Sequence, residues 1–154
     1  MSSKLAAEIG QSKPFATAEE ELLLNLIRTH EFIQQRQAEF FREFGLTATQ
    51  YNILRILRGA GESGVTCSQA AARMVTADPD ITRLMDRLET RGLLRRERSR
   101  EDRRVVLSHI TAEGLDLLKS IDKPLAEMIL RLAGHIEPEK LRQFIETLEE
   151  IRKA

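Results

Sequence analysis

Seven arginines stand between Arg91 and Arg104, in the stretch RGLLRRERSREDRR, against Glu97, Glu101 and Asp102. A guanidinium is a flat fork of donors that can meet two oxygens at once, so arginines at this density suit phosphates or the acceptor edge of guanine. The whole chain carries 24 basic and 24 acidic side chains and no net charge. Positive charge has been concentrated rather than added. Residues 1–72 hold seven basic and eight acidic side chains, residues 73–104 ten and seven, and residues 105–154 seven and nine, so the middle segment alone is net positive, by three. Affinity for a polyanion follows local potential more than total charge.

Other reactive residue types are sparse. His30, His109 and His135 fall on separate elements, no glycine-rich phosphate loop or G-x-S-x-G elbow occurs, and carboxylates are spread as solubilising charge, so no catalytic residues are assigned and the chain reads as a non-enzyme. Metal-ligand spacings are missing too, and no metal or cofactor is expected. The single cysteine, Cys67, cannot form an internal disulfide, and a small buried thiol is a better reading than a redox sensor. His30 and Tyr51 lie among apolar residues of the first two long helices, either as core or lining an effector pocket. With 154 residues, 42% of them apolar, no run long enough to span a membrane and no secretory signal pattern, the expectation is a soluble cytoplasmic protein.

The elements that must position the arginines are legible. Thr17, Thr47 and Thr66 each head a T-x-x-E/Q capping box, predicting helices from Ala18, from Thr47 and from Thr66. The first carries Leu22, Leu23, Leu26, Ile27, Ile33, Phe40, Phe41 and Phe44 and stops at Gly45, an amphipathic rod of about 40 Å whose apolar stripe calls for a partner outside its own chain. Asp78-Pro79 reads as cap and first residue of a further helix, with Ile81, Leu84, Met85 and Leu88 on its apolar face and Gly92 at its end. Leu93–Arg98 and Val105–Ile110 then read as two strands of a hairpin with a charged tip. Helix, turn, helix, hairpin is the order of a winged helix-turn-helix. Thr111 caps another helix, which Pro124 is expected to kink or interrupt, and a last helix begins near Pro138.

The second helix of such a motif reads base edges in the major groove from its N-terminal end. Asp80, Ile81, Thr82, Arg83 and Arg87 are therefore candidate contacts, Arg83 to guanine, Thr82 to a thymine methyl or a phosphate, and Asp80 either to a cytosine amino group or as a second cap. Thr66 and Ser68, at the head of the preceding helix, join them. In the hairpin tip Arg100, Arg103 and Arg104 suit phosphates or a narrow minor groove, and Asp102 is placed to hold one of them in a forked ion pair.

Three stretches, GVTCSQAAARM from Gly64, ITRLMDRLETRGLLRR from Ile81 and EDRRVVLSHITAEG from Glu101, resemble the winged-helix core of MarR-type transcriptional regulators, over about residues 45 to 118. The resemblance implies a mainly α (α+β) fold: a winged helix-turn-helix over residues 45–111, its two-stranded β-wing included, flanked by dimerisation helices in 1–44 and 112–154. It also implies a homodimer on a pseudo-palindromic double-stranded operator, acting as a repressor relieved by a small anionic or aromatic effector. By position it makes Arg104 the minor-groove arginine, Asp102 its orienting partner, and Thr82 and Arg83 recognition-helix contacts. The acids in Ala77-Asp78-Pro79-Asp80 depart from the family pattern, and Cys67 does not occupy the position of the reactive cysteine of its peroxide-sensing relatives. The competing reading is a helical interaction module whose basic hairpin docks on an acidic protein.

Overall fold

A computed structural model describes residues 3–153. Contacts gather the chain into two compact units, residues 1–51 and 52–154.

In the first unit, a short helix α1 (Lys4–Glu8) buries Leu5 and Ala6. Five residues are too few for periodicity to reveal, and the sequence reading has no helix there. Helix α2 (Ala18–Arg42) starts where its cap places it: Thr17 Oγ1 accepts the Glu20 amide at 3.2 Å. The reciprocal half of the box is displaced, because Glu20 Oε2 takes the Ala16 amide at 2.7 Å. Gly45, at φ +66°, ends the run, with the Gly45 and Leu46 amides bonded back to the Arg42 and Phe41 carbonyls. That pairing requires a left-handed residue, which glycine adopts without strain. Phe41 is buried and stacks on Tyr51, ring centroids 4.6 Å apart. Leu23, Ile27, Phe32 and Ile33 stay exposed along α2.

Helix α3 (Ala48–Ala60) begins at a complete capping box, with Thr47 Oγ1 accepting the Gln50 amide and Gln50 Oε1 accepting the Thr47 amide. Its later residues Ile53, Leu54 and Leu57 are fully buried in the second unit. A single 3₁₀ turn (Gly61–Ser63) leads to α4 (Cys67–Arg73), α5 (Ile81–Thr90), the antiparallel strands β1 (Leu94–Arg98) and β2 (Val106–Ile110), then α6 (Ala112–Ala133) and α7 (Pro138–Ile151). Leu84, Met85 and Leu88 of α5, Ala70 of α4, Leu94 of β1 and Leu118 and Ile121 of α6 complete this core. The mainly helical winged architecture expected from the pattern is the one observed.

Two further details differ from expectation. Helix α5 starts two residues late: Asp80, not Asp78, occupies the cap position, and Pro79 lies before the helix. Asp78 Oδ1 instead accepts the Asp80 amide at 2.8 Å, an Asx turn, because a short carboxylate bonds the amide two residues on as readily as a helical one. Pro124 does not interrupt α6, which runs through it. A proline removes one helical bond at a cost of about 3 kcal/mol. Leu118, Ile121 and Met128 are buried on either side of it, and Arg58 grips Asp122 with bonds of 3.0 and 2.9 Å, so packing offsets the lost bond. No helix among the described residues is long and apolar enough to cross a membrane.

Candidate nucleic-acid interface

The site is built wholly within residues 52–154. Thr66 heads α4 with both halves of a capping box, its Oγ1 taking the Gln69 amide at 3.1 Å and Gln69 Oε1 taking the Thr66 amide at 2.9 Å. The Thr66 hydroxyl is thereby engaged with its own helix, while Ser68 is exposed. Between α4 and α5, the Val75 amide donates to the buried Asn52 side chain at 2.9 Å, which pins the turn to α3.

On α5 the apolar face is driven into the core, so Thr82, Arg83, Asp86 and Arg87 face solvent, with Ile81 half-buried at the first turn. Arg83 lies 3.5 Å from Asp80, and Thr82 Oγ1 is 3.7 Å from Cys67 Sγ, a contact between the two helices of the motif. Gly92, at φ +71°, closes α5 as Gly45 closes α2, with the Leu93 amide on the Leu88 carbonyl at 3.0 Å.

Strands β1 and β2 pair in register from Leu94 opposite Ile110 to Arg98 opposite Val106. Val65 adds a bridge on the other side of β2, exchanging bonds of 3.0 and 2.8 Å with Ser108, so the root of the wing is tied to the segment that enters α4. Arg96 supplies the second tie. Its guanidinium reaches Asp86 at 2.7 Å and Glu89 at 3.6 Å, while its amide donates to Glu89 at 3.2 Å. One arginine of the run therefore belongs to the scaffold and fixes the wing on α5.

A third tie was invisible in the sequence. His109 on β2 is buried, and its Nε2 stands 3.2 Å from Glu97 Oε1, near enough for an ion pair if the ring is protonated although not aligned as a hydrogen bond. Gly64, at φ +65°, lies against that ring, and a Cβ there would approach it to 2.5 Å. Arg95 hydrogen-bonds Glu97, and this bond above all holds the Glu97 carboxyl below its ordinary value, with His109 and Arg100 adding to it by charge. Gly64 and His109 lie too far apart in the chain for any local pattern to link them.

The tip is an ordered turn. Ser99 Oγ accepts the amides of Glu101 and Asp102, the Ser99 amide donates to the Val105 carbonyl at 2.9 Å, and Arg98 donates to the Arg103 carbonyl at 2.9 Å. Asp102 Oδ1 accepts the main-chain amide of Arg104 at 2.9 Å. The expected fork between Asp102 and an arginine is thus replaced by a backbone bond, because the carboxylate reaches the amide two residues on without ordering a long side chain. Arg100, Arg103 and Arg104 are exposed, and among the described residues none of the three makes an ion pair within 4 Å.

The T-x-x-G that follows the wing is a joint. Thr111 donates to the Gly92 carbonyl at 2.7 Å and accepts the Gly114 amide at 3.1 Å, joining the end of α5 to the start of α6. A Cβ on Gly114 would collide with the Leu93 carbonyl.

The remaining candidates fall in the first unit. His30 is exposed on α2, its ring paired with Gln34 at 2.8 Å, and Tyr51 is half-buried against Phe41. Neither lines the open clefts of about 620 and 420 Å³ on that unit, the first bordered by Lys13, Phe15 and Glu21 among others and the second by Glu8, Arg28, Thr29, Glu31 and Phe32.

Comparison with known proteins agrees with this geometry. The profile described as "MarR family" matches residues 44–105. A MarR transcription factor from Planctomyces limnophilus is 40% identical, with a TM-score of 0.68 over 88% of this chain and 98% of that one. The HTH-type transcriptional regulator PapX of Escherichia coli is 33% identical over 103 residues, 66% of this chain and 63% of PapX. CouR from Rhodococcus jostii RHA1, solved bound to p-coumaroyl-CoA, is 27% identical with a TM-score of 0.76, covering 89% of this chain and 95% of CouR.

Proposed function

The chain belongs to the MarR family of DNA-binding transcriptional regulators, and from that premise we propose that it is a homodimeric repressor of a pseudo-palindromic operator, released by a small effector. The observation that carries the DNA contacts is the ordered wing tip. Arg100, Arg103 and Arg104 project from a turn held by Ser99 and Asp102, and the wing is latched by Arg96 to a helix whose solvent face carries Thr82, Arg83 and Arg87. A stiff mount lets those guanidinium groups meet phosphates or a minor groove without a large ordering cost. Asp102 orients Arg104 through the turn, and Thr66 and Ser68 meet the backbone beside α4.

The dimer reading rests on the apolar residues left exposed on α2, on α6 at Ile129 and Leu130, and on α7 at Phe144 and Ile145. Residues 1–44 and 112–154 form the dimerisation region, and 45–111 the DNA-reading part. A dimer seated on promoter DNA represses by occupancy. CouR's ligand supports an aromatic or anionic effector for this chain too. A docking hairpin for an acidic protein would have no use for a polar helix mounted beside it, so that reading is not retained.

The test is binding of the purified protein to duplexes from its own promoter, followed by fluorescence anisotropy across salt concentrations. Retention well above a random duplex, with affinity falling steeply as salt rises, is expected. Equal retention of promoter and random duplexes would sink the proposal. A panel of aromatic carboxylates and thioesters is expected to contain a compound that lowers operator affinity.

A further inference from the structure

Acids at the entrance to a DNA-reading helix oppose the phosphates on either side of the groove, so their presence there calls for a reason. Asp78 has one in the turn it forms. Asp80 does not cap α5: it stands at the cap position with φ −117° and ψ 34°, and its side chain accepts no amide. Instead Asp80 Oδ2 lies 3.5 Å from Arg83 Nη1, the two side chains 56% and 74% exposed. The carboxylate is therefore turned toward the leading arginine of the helix rather than toward the helix itself.

We propose that Asp80 and Arg83 act as one reading unit, in which Arg83 donates to a guanine and Asp80 accepts from the N4 amino group of a cytosine in a neighbouring base pair. This rests on the DNA-binding reading above and adds to it the chemistry of one step of the operator. Asp80 and Arg83 lie within one turn of each other at the N-terminal end of α5, the end of a recognition helix that meets base edges, so the two side chains can address neighbouring pairs. A carboxylate has acceptors alone. Guanine and thymine offer it further acceptors in the major groove, and adenine sets its amino group beside the acceptor N7, whereas cytosine presents the amino group without one. On any other sequence Asp80 faces acceptors and phosphates with no donor from a base, which weakens binding there and sharpens the contrast with the true site. The ion pair also limits the rotamers of Arg83, so less freedom is lost when its fork closes on guanine.

The experiment is selection of bound duplexes from a randomised pool by the full-length protein, wild type and Asp80→Asn, Asp80→Ala and Arg83→Ala. The wild type is expected to enrich cytosine at one position of each half-site, by about 5-fold to 100-fold over the other bases. Asp80→Asn moves that preference to adenine, since an amide can accept from N6 and donate to N7. Asp80→Ala loses the preference and binds random duplex more tightly than the wild type. Unchanged base preferences in both Asp80 variants would overturn the proposal. So would an Asp80→Ala profile altered solely at the guanine read by Arg83, because Asp80 would then act through Arg83 without touching a base. A wild type that enriches no sequence would count against the DNA-binding reading itself, and the variants are not needed to see that.

Discussion

At the scale of single residues, the arginine run divides by what each side chain already holds. Arg95 and Arg96 are engaged with Glu97, Asp86 and Glu89, Arg98 with the Arg103 carbonyl, while Arg100, Arg103 and Arg104 are exposed and make no ion pair within 4 Å among the described residues. Replacing Arg104 with Ala is expected to weaken operator binding at least about ten-fold and to lower the slope of log affinity against log salt by about two, one for each protomer, with thermal stability unchanged. Anisotropy at several salt concentrations measures both, and an unaltered affinity would refute the wing assignment. Gly114 is a residue of the opposite kind, conspicuous in the T-x-x-G pattern yet touching no ligand. Gly114→Ala must push the Leu93 carbonyl or the first turn of α6 aside, and a loss of about 1–3 kcal/mol is expected in urea unfolding.

At the scale of elements, the wing works because β1 and β2 are not a lone hairpin, which would be marginal in water. Val65 bridges β2, Arg96 clamps β1 to α5, and His109 packs over Gly64. Arg96 is the tie most open to test. Arg96→Glu sets a third acid beside Asp86 and Glu89, and operator affinity is expected to fall several-fold while the salt slope stays near that of the wild type, since Arg96 meets no phosphate. Adding Asp86→Arg should return part of the lost affinity by re-forming the pair in reverse. A slope that drops with Arg96→Glu would mean that the guanidinium reaches the DNA backbone after all. With the Arg96 side chain a quarter exposed, the clamp is partly screened, and its value lies in geometry more than in stability.

At the scale of the whole molecule, the chain leaves large apolar side chains in water on α2, α6 and α7, including Ile27, Leu130 and Ile145 at 66%, 65% and 48% exposure. Burying such a side chain is worth about 1.5–3 kcal/mol, so a second copy covering these faces gains substantially. Sedimentation is expected to give a dimer, with a melting temperature that rises with protein concentration. Leu130→Glu together with Ile145→Glu should yield a monomer that no longer retains operator, while a dimer of unchanged mass would place the interface elsewhere.

Local chemistry settled much of this protein before any fold was known. Capping threonines, terminal glycines and the change of period at Gly92 depend on residues within one turn or one strand, so helix starts, the hairpin and the charged tip could be read directly. Local signals with two outlets were decided by the fold: Asp78 bonded one amide rather than another, Asp102 chose a backbone over a guanidinium, and Pro124 was carried through by buried neighbours a turn away. What only the tertiary structure decided is which arginines are spent. Sequence places seven of them together; Arg95 is engaged by Glu97 two residues on along its own strand and Arg98 by a carbonyl across its own turn, but Arg96 is removed from the set by carboxylates on α5, because that pairing depends on how the strand packs on the helix rather than on spacing along the chain.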